Sequence, residues 1–99
     1  MSRRIRTTVH AEADIRSIAQ WIARDSTLAA AKWIDDLDFE FAKIAETPGM
    51  GTDRSELRPK LRSVAFGNYL LFFKSSRERV TIVRVIHGAR DYARLFHRG

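Results

Sequence analysis

Val-Thr-Ile-Val-Arg-Val-Ile, residues 80–86, is a nearly continuous apolar run rich in β-branched residues, and it decides the fold of this 99-residue chain. Such a run without polar alternation is typical of a β-strand that is covered on both faces. Two further strands are predicted at residues 61–66 and 69–73, and Gly67-Asn68 between them favours a two-residue hairpin turn. Residues 74–79 are polar and predict the turn into the third strand. The C-terminal half therefore predicts an antiparallel sheet.

Two helices are predicted ahead of this sheet. Apolar residues recur with a period of about 3.6, at positions Ala11, Ile15, Ile18, Ala19 and Ile22. A second helix is predicted from about Leu28 to Glu46, with its apolar stripe at Ile34, Leu37, Phe41, Ile44 and Ala45. Ser26 or Thr27 can cap this helix at its start, and Pro48-Gly49 stops it. The short loop between the helices predicts an antiparallel helical hairpin.

The remaining segments complete an α+β fold. Residues 3–9 predict a short first strand, residues 48–60 are rich in turn-forming residues and predict a connector, and residues 88–99 predict a final helical turn. The element order is β-α-α-β-β-β, with the helical hairpin packed on a small, mostly antiparallel sheet, because a helical pair alone cannot bury both of its apolar stripes. We expect residues 1–99 to form a single domain.

The charge is unevenly distributed along the chain. Residues 1–50 hold 7 Lys and Arg against 8 Asp and Glu, whereas residues 51–99 hold 11 against 4, so the second half carries +7 and the whole chain +6. A basic half suits an acidic protein or a nucleic acid as partner, or it is simply a solvated surface. No apolar run reaches the roughly 20 residues that span a bilayer. The N-terminus lacks the apolar stretch of a signal peptide, so we expect a cytoplasmic protein.

The sequence lacks the motifs and spacings that metal and nucleotide sites require. The chain has no cysteine, which excludes disulfides, zinc–thiolate sites and thiol nucleophiles. His10, His87 and His97 lie far apart without metal-ligand spacing. Pro48-Gly49-Met50-Gly51 lacks the Lys-Ser/Thr that ends a phosphate-binding loop. We therefore expect no metal and no cofactor.

A set of basic and aromatic residues in the predicted sheet and tail remains as the candidate site: Arg62, Tyr69, Arg84, His87, Arg90 and Phe96. Arg84 interrupts an apolar strand, so either a carboxylate or carbonyl partner lies nearby or its stem packs while its head reaches solvent. His87 at the strand end is either structural or catalytic, and Arg90-Asp91 is open to a local ion pair. Histidine and arginine can cleave RNA without a metal, since one group takes the 2′-hydroxyl proton, another protonates the leaving oxygen and arginine stabilises the phosphorane.

The two tryptophans, Trp21 and Trp33, lie outside the strictest apolar stripes of their helices. They either complete the core or line a groove into which an apolar helix of a partner docks. Because both lie on the same predicted hairpin, the groove interpretation makes them the candidate partner-binding residues.

The sequence resembles the RelE/ParE superfamily of bacterial toxins over essentially its whole length. The resemblance lies in residues 44–51 (IAETPGMG), which close the second helix, and in residues 58–62 (RPKLR). Residues 67–73 (GNYLLFF) look like the central hairpin of the family, and residues 83–91 (VRVIHGARD) look like its last strand and tail in the form typical of ParE. The order and spacing of these segments carry the resemblance, which implies a small α+β toxin.

The resemblance implies a toxin that an antitoxin from the same operon neutralises. ParE members poison DNA gyrase, whereas RelE members cut messenger RNA on the ribosome with basic and acid–base residues of the sheet. Arg90 matches a family arginine, but Tyr69 is followed by Leu70 where RelE-like toxins carry a catalytic arginine, and Phe96 stands where many have a tyrosine. Because phenylalanine cannot exchange a proton, the comparison favours a gyrase poison that is not an enzyme. The six candidate residues then form its target-binding surface.

Two other interpretations stay open. One is a ribosome-dependent endoribonuclease with His87 and Arg90 as catalytic residues, and the other is a relative that has lost toxicity and persists as a binding module. For either toxin the resemblance implies a ParD-like antitoxin, and the +7 second half favours an acidic partner that associates by electrostatic steering. We expect its extended C-terminus to wrap the toxin with a helix against Trp21 and Trp33. We expect operator DNA to be bound only through the antitoxin.

Overall fold

The computed structural model describes residues 2–97 and contains three helices and five strands in that range. Along the chain these are β1 (Arg4–Thr7), α1 (Val9–Ala23), α2 (Thr27–Glu46), β2 (Thr52–Asp53), β3 (Arg62–Phe66), β4 (Tyr69–Ser75), β5 (Arg79–His87) and α3 (Tyr92–His97). The predicted α+β order is confirmed, and β2 is an additional short strand within the connector. None of the described helices is long and apolar enough to cross a membrane.

The strands form one sheet in the order β1-β5-β4-β3-β2. The β1–β5 pair is parallel and every other pair is antiparallel, as the mostly antiparallel prediction requires. A parallel pair cannot be joined by a tight turn, and here the helical hairpin and strands β2 to β4 all lie between β1 and β5 in the chain. Gly67-Asn68 makes the predicted hairpin turn, and Gly67 has a φ of +57°, which glycine adopts without steric cost.

Both faces of the sheet are covered. The helical hairpin buries one face, where the core consists of Ala11, Leu37, Phe41, Ile44, Val64, Leu71, Phe73, Val80, Ile82 and Val85. On the outer face a second core forms beneath α3 and the connector, from Leu61, Phe72, Val83, Ile86 and Phe96. Residues of β5 enter both cores, which confirms the prediction that residues 80–86 are buried on both sides.

Side-chain caps set the starts of both long helices. The Thr8 hydroxyl accepts a hydrogen bond from the Ala11 N–H at 3.0 Å and donates to the Val83 carbonyl at 2.8 Å. The Ser26 hydroxyl accepts from the Ala29 N–H at 3.0 Å and caps α2, one of the two predicted caps. The predicted first strand, residues 3–9, is too long at its C-terminal end, because Thr8 already caps α1 and the strand ends one residue earlier.

Two loop predictions are also corrected. The connector contains β2, in which Thr52 pairs with Ser63, and Gly51 just before it has a φ of +84°. A side chain at Gly51 would collide with the Ser63 carbonyl oxygen, so glycine is what allows β2 to approach β3. The polar turn predicted at residues 74–79 is shorter, because β4 continues to Ser75 and β5 already begins at Arg79.

Candidate binding groove

A groove of about 630 Å³ lies between α1 and one end of the sheet. It is lined by residues of α1, of the β3–β4 turn and the start of β4, and of the end of β5 with the loop that follows: Asp14, Ser17, Ile18, Trp21, Asn68, Tyr69, Val85, His87 and Arg90. Apolar and aromatic side chains with a few polar groups are the usual lining of a binding cleft. The groove is therefore the candidate functional site.

Aromatic rings stack along one wall of this groove. Tyr69 and His87 are directly opposite in the β4–β5 register, and their rings lie 5.4 Å apart at 77°. Trp33 on α2 packs its ring 5.7 Å from Tyr69 at 68°, and 5.9 Å from Phe66. These tilted and edge-to-face contacts are the arrangements that aromatic pairs prefer. Trp33 is partly buried against the helical core and acts on the groove by supporting Tyr69.

Trp21 has a different environment from Trp33. Its side chain is 64% exposed, and it lines the groove directly from α1. Trp21 therefore does not complete the core, whereas Trp33 packs against it. Tyr69 links the two predicted partner-binding residues, because it touches Trp33 and shares the groove with Trp21.

Arg84 has the carboxylate partner that was one of the two alternatives for it. Its Nε and Nη2 donate to the two carboxylate oxygens of Asp14 at 2.7 and 2.9 Å. A register shift opposite Phe72 and Phe73 makes a β-bulge in β5 just before Arg84, a feature that re-aims side chains. The side chains of Arg84 and Asp14 are 19% and 15% exposed. The hydrogen bonds that Arg84 donates to Asp14 raise the pKa of Arg84, so the guanidinium stays charged.

His87 and Arg90 are exposed at the end of β5 and line the groove together. The Nδ1 of His87 accepts from the Ala89 N–H at 3.1 Å, which leaves Nε2 as the ring nitrogen for a ligand. The Arg90 N–H donates to the His87 carbonyl at 3.0 Å and closes the turn that holds both residues. Among the ion pairs of the described residues there is none between Arg90 and Asp91. Arg90 therefore presents its charge to the groove.

Two predicted site residues lie outside the groove. Arg62 donates to three carbonyl oxygens of the connector, at Gly49 (2.8 Å), Met50 (3.0 Å) and Gly51 (3.0 Å). Its contacts are those of a structural anchor for this loop.

Phe96 lies on the opposite face of the sheet and is only 4% exposed. Its ring is 4.8 Å from that of Phe72, and the Arg58 guanidinium lies 5.0 Å above it. Of the six predicted site residues, the structure therefore brings Tyr69, His87 and Arg90 together in the groove, with Arg84 held beside it by Asp14.

Sequence reasoning missed Asp14, Ser17, Ile18 as a lining residue, Asn68 and Val85. Asp14 left a usable signal, because it lies three residues after Ala11 and four before Ile18, on the apolar face of a helix. A carboxylate on that face and an arginine in an apolar strand predict each other as partners. The other four residues are of ordinary type and carry no such signal.

The chain is similar to known proteins both as a member of a family and in comparison with individual relatives. Residues 5–92 match the family described as ParE toxin of type II toxin-antitoxin system, parDE. Toxin ParE1 of Caulobacter vibrioides is 38% identical over 58 residues, which are 59% of this chain and 59% of that protein. Toxin ParE3 of the same organism is 28% identical over 64 residues, which are 65% of this chain and 64% of that protein. The matches thus span about three-fifths of each relative's length.

The fold is also similar to that of a solved structure. A chain described as the chromosomal ParDE TA system from P. aeruginosa superposes with a TM-score of 0.71 at 17% sequence identity. The match covers 87% of this chain and 96% of that chain. At this level of identity the likeness concerns the fold alone.

Proposed function

The chain belongs to the ParE toxin family of type II toxin–antitoxin systems, and from this premise we propose that it inhibits DNA gyrase and is neutralised by a ParD-like antitoxin bound in the groove. The observation that carries the proposal is the composition of the groove, where an exposed tryptophan meets the aromatic and basic residues predicted to touch the target. Family membership supplies the toxin class, and the groove supplies the surface.

The antitoxin contact centres on Trp21. Leaving this indole 64% exposed gains nothing for the isolated toxin, whereas covering it with an apolar helix removes a large apolar area from water. Exposed tryptophans in a cleft are typical anchors of protein interfaces. Ile18 and Val85 extend the apolar floor, and Arg90 at the rim suits an acidic side chain of the partner.

In this proposal the antitoxin neutralises the toxin because antitoxin and gyrase bind overlapping parts of the same groove. Trp21 shares the groove with Tyr69, His87 and Arg90, the residues predicted for target binding. An antitoxin helix over Trp21 therefore covers the target surface directly, and no conformational change in the toxin is required. Antitoxin and gyrase should then compete for the free toxin.

The test is a supercoiling assay with purified toxin, gyrase, ATP and relaxed plasmid. We expect lost supercoiling and linear DNA trapped on the enzyme, and we expect prior addition of antitoxin to abolish both effects. His87→Ala and Arg90→Ala should weaken the inhibition, while Arg16→Gln, an exposed arginine on α1, serves as the charge control. Unaffected gyrase in the presence of folded toxin would exclude the proposal.

A second candidate function is metal-independent cleavage of messenger RNA on the ribosome. The observation that favours it is that His87, with Nε2 open to a ligand, shares the groove with Arg90. Histidine would exchange the proton and arginine would stabilise the phosphorane. Transcript cleavage in a translation reaction that disappears with His87→Gln, together with unaffected gyrase, would establish this function instead.

A further inference from the structure

The outer face of the sheet carries a second surface, which the groove does not include. The apolar core of this face lies beneath α3 and the connector. At the start of β5, in β1 and at the end of β4, the same face instead carries Arg4, Arg6, Lys74 and Arg79, which together form the basic face. Three of these side chains are exposed, and that of Lys74 is half-buried.

The strand register places these cations side by side. Arg4 on β1 is directly opposite Arg79 on β5. In the next row Thr81 lies between Arg6 on β1 and Lys74 on β4. Val80 and Ile82, which alternate with Arg79 and Thr81 along β5, enter the helical core. The two rows that contain Arg79 and Thr81 therefore point away from the helices. Neighbouring strands are about 4.8 Å apart, so the positive charges lie close together.

Within residues 2–97 no carboxylate forms an ion pair with the basic face. The ion pairs formed among the described residues include none of its four members. In an adjoining hollow Arg4 and Arg79 meet Arg3 and Arg77, and the single carboxylate there is that of Glu78. Like charges directly opposite in a sheet are destabilising. A fold that keeps them in this arrangement has a surface suited to a polyanion.

We propose that the basic face binds the phosphate backbone of double-stranded DNA without reading its sequence. This contact is distinct from recognition of the operator sequence, which we expect of the antitoxin alone. A protein partner of standard size needs apolar anchors at the centre of its interface. The exposed large hydrophobic side chains of the described residues lie elsewhere, and Ile5, the nearest, pairs with Val80 and therefore points to the opposite face of β1. The basic face thus has the polar, positively charged character of a protein–DNA interface.

The residue types on the basic face favour duplex DNA over other nucleic acids. Single strands are bound by exposed aromatic rings on which bases stack. The aromatic rings of this face, Phe72, Tyr92 and Phe96, pack against one another and are not presented by the basic face. RNA duplexes are recognised through their 2′-hydroxyl groups. Within the two rows Thr81 is the single neutral hydrogen-bonding side chain, and four cations suit phosphates.

The basic face and the groove are separate surfaces. The groove contains the last residue of β5, whereas the basic face contains its first residue, Arg79. The groove opens beside α1, and the basic face lies on the side of the sheet away from the helices. Binding of DNA by this face is therefore independent of gyrase inhibition, and the two can be tested apart.

The experiment measures the affinity of the purified full chain for a short labelled DNA duplex by fluorescence anisotropy between about 50 and 200 mM salt. We expect the logarithm of the affinity to fall linearly with the logarithm of the salt concentration, with a slope of about −3 to −4 for four phosphate contacts. The double variant Arg4→Gln/Arg79→Gln should reduce that slope by about two. A scrambled duplex should bind equally well.

The matched control is Arg16→Gln/Arg24→Gln, which removes the same charge from exposed positions on or next to α1. It should leave the slope unchanged. Equal losses in the two double variants would show an effect of net charge alone and overturn the proposal. Tighter binding of polyglutamate or of single-stranded DNA than of the duplex would also overturn it. Thermal unfolding shows whether each variant is folded. Because the Arg4→Gln/Arg79→Gln variant loses a like-charge repulsion, its Tm should be equal to or higher than that of the wild type.

Discussion

Arg84 on β5 and Asp14 on α1 are 70 residues apart in sequence and are joined by two parallel hydrogen bonds of 2.7 and 2.9 Å. The same carboxylate accepts a third hydrogen bond, of 3.0 Å, from the Val85 N–H. One side chain of the first helix thus satisfies both an arginine and a backbone amide of β5. Because Asp14 also lines the groove, this contact fixes the position of α1 against the wall that carries His87.

Replacing Asp14 with alanine should lower the free energy of unfolding by about 2–4 kcal/mol, because it leaves a largely buried guanidinium and an amide without their partner. Urea unfolding measures the change. In the double variant Asp14→Ala/Arg84→Met much of the loss should be recovered, since no unpaired charge then remains. A loss below about 0.5 kcal/mol in the Asp14→Ala variant would contradict this, because it would show that water solvates Arg84 as well as Asp14 does.

Phe96→Ala should destabilise the toxin by about 3–5 kcal/mol, because it opens a cavity in the core beneath α3. Phe39→Ala is the matched control, since Phe39 is 71% exposed and should change stability little. The structural position of Phe96 also predicts that Phe96→Tyr creates no RNA cleavage. If the alanine variant kept full stability and lost only inhibition, Phe96 would be a target contact after all.

Gly51→Ala should cost about 1–3 kcal/mol, because the residue has a positive φ and its new Cβ meets the backbone of Ser63. Gly49→Ala is the paired control, since nothing lies within 4 Å of a Cβ at Gly49. Thermal unfolding of the two variants compares them directly. Equal melting temperatures would show that β2 detaches from β3 without cost.

Trp21→Ala should weaken antitoxin binding by about tenfold to a hundredfold, as loss of an interface anchor does. The stability of the toxin should hardly change, because the indole is exposed. Leu28→Ala, at an 82% exposed residue of α2 outside the groove, provides the comparison. Calorimetric titration with the antitoxin distinguishes them, and equal affinities for both variants would place the antitoxin on another surface.

The stability of the folded state should depend on pH in acid through Asp53, which lies in the edge strand β2. Its carboxylate accepts hydrogen bonds from Ser55, including one of 2.7 Å from the N–H, and they lower the pKa of Asp53 below its ordinary value of 3.8. A lowered pKa in the folded state means that the stabilisation is present above pH 3.8 and is lost as the pH falls through the folded-state value. The stability difference between the wild type and Asp53→Asn should therefore be constant near neutral pH and change only in acid. A difference that stays constant down to pH 2 would contradict this.

Arg84, unlike Asp53, should contribute no pH dependence in the acid or neutral range. The pKa of Arg84 is raised by the hydrogen bonds that it donates to Asp14, so the contribution of the ion pair is lost only in strongly alkaline solution and this guanidinium adds no pH dependence near neutrality.

Elements with a strong local signal were predicted from the sequence. The helices follow from the 3.6-residue period, and their boundaries from capping and breaking residues such as Ser26 and Pro48. Gly67-Asn68 predicted the hairpin because the turn depends only on the backbone preferences of those two neighbouring residues. The two-residue strand β2 could not be foreseen, because its pairing depends on the distant Ser63.

The sequence by itself determined the α+β element order, the burial of residues 80–86 on both faces and the uneven charge, because periodicity, turn chemistry and composition are local properties. Only the tertiary structure decided that Arg84 pairs with Asp14, that Trp21 is exposed while Trp33 is packed, and that Phe96 lies on the face opposite the groove. It also decided that Arg4 lies opposite Arg79. These relationships depend on strand register and helix docking, which bring distant residues together and which no local pattern encodes.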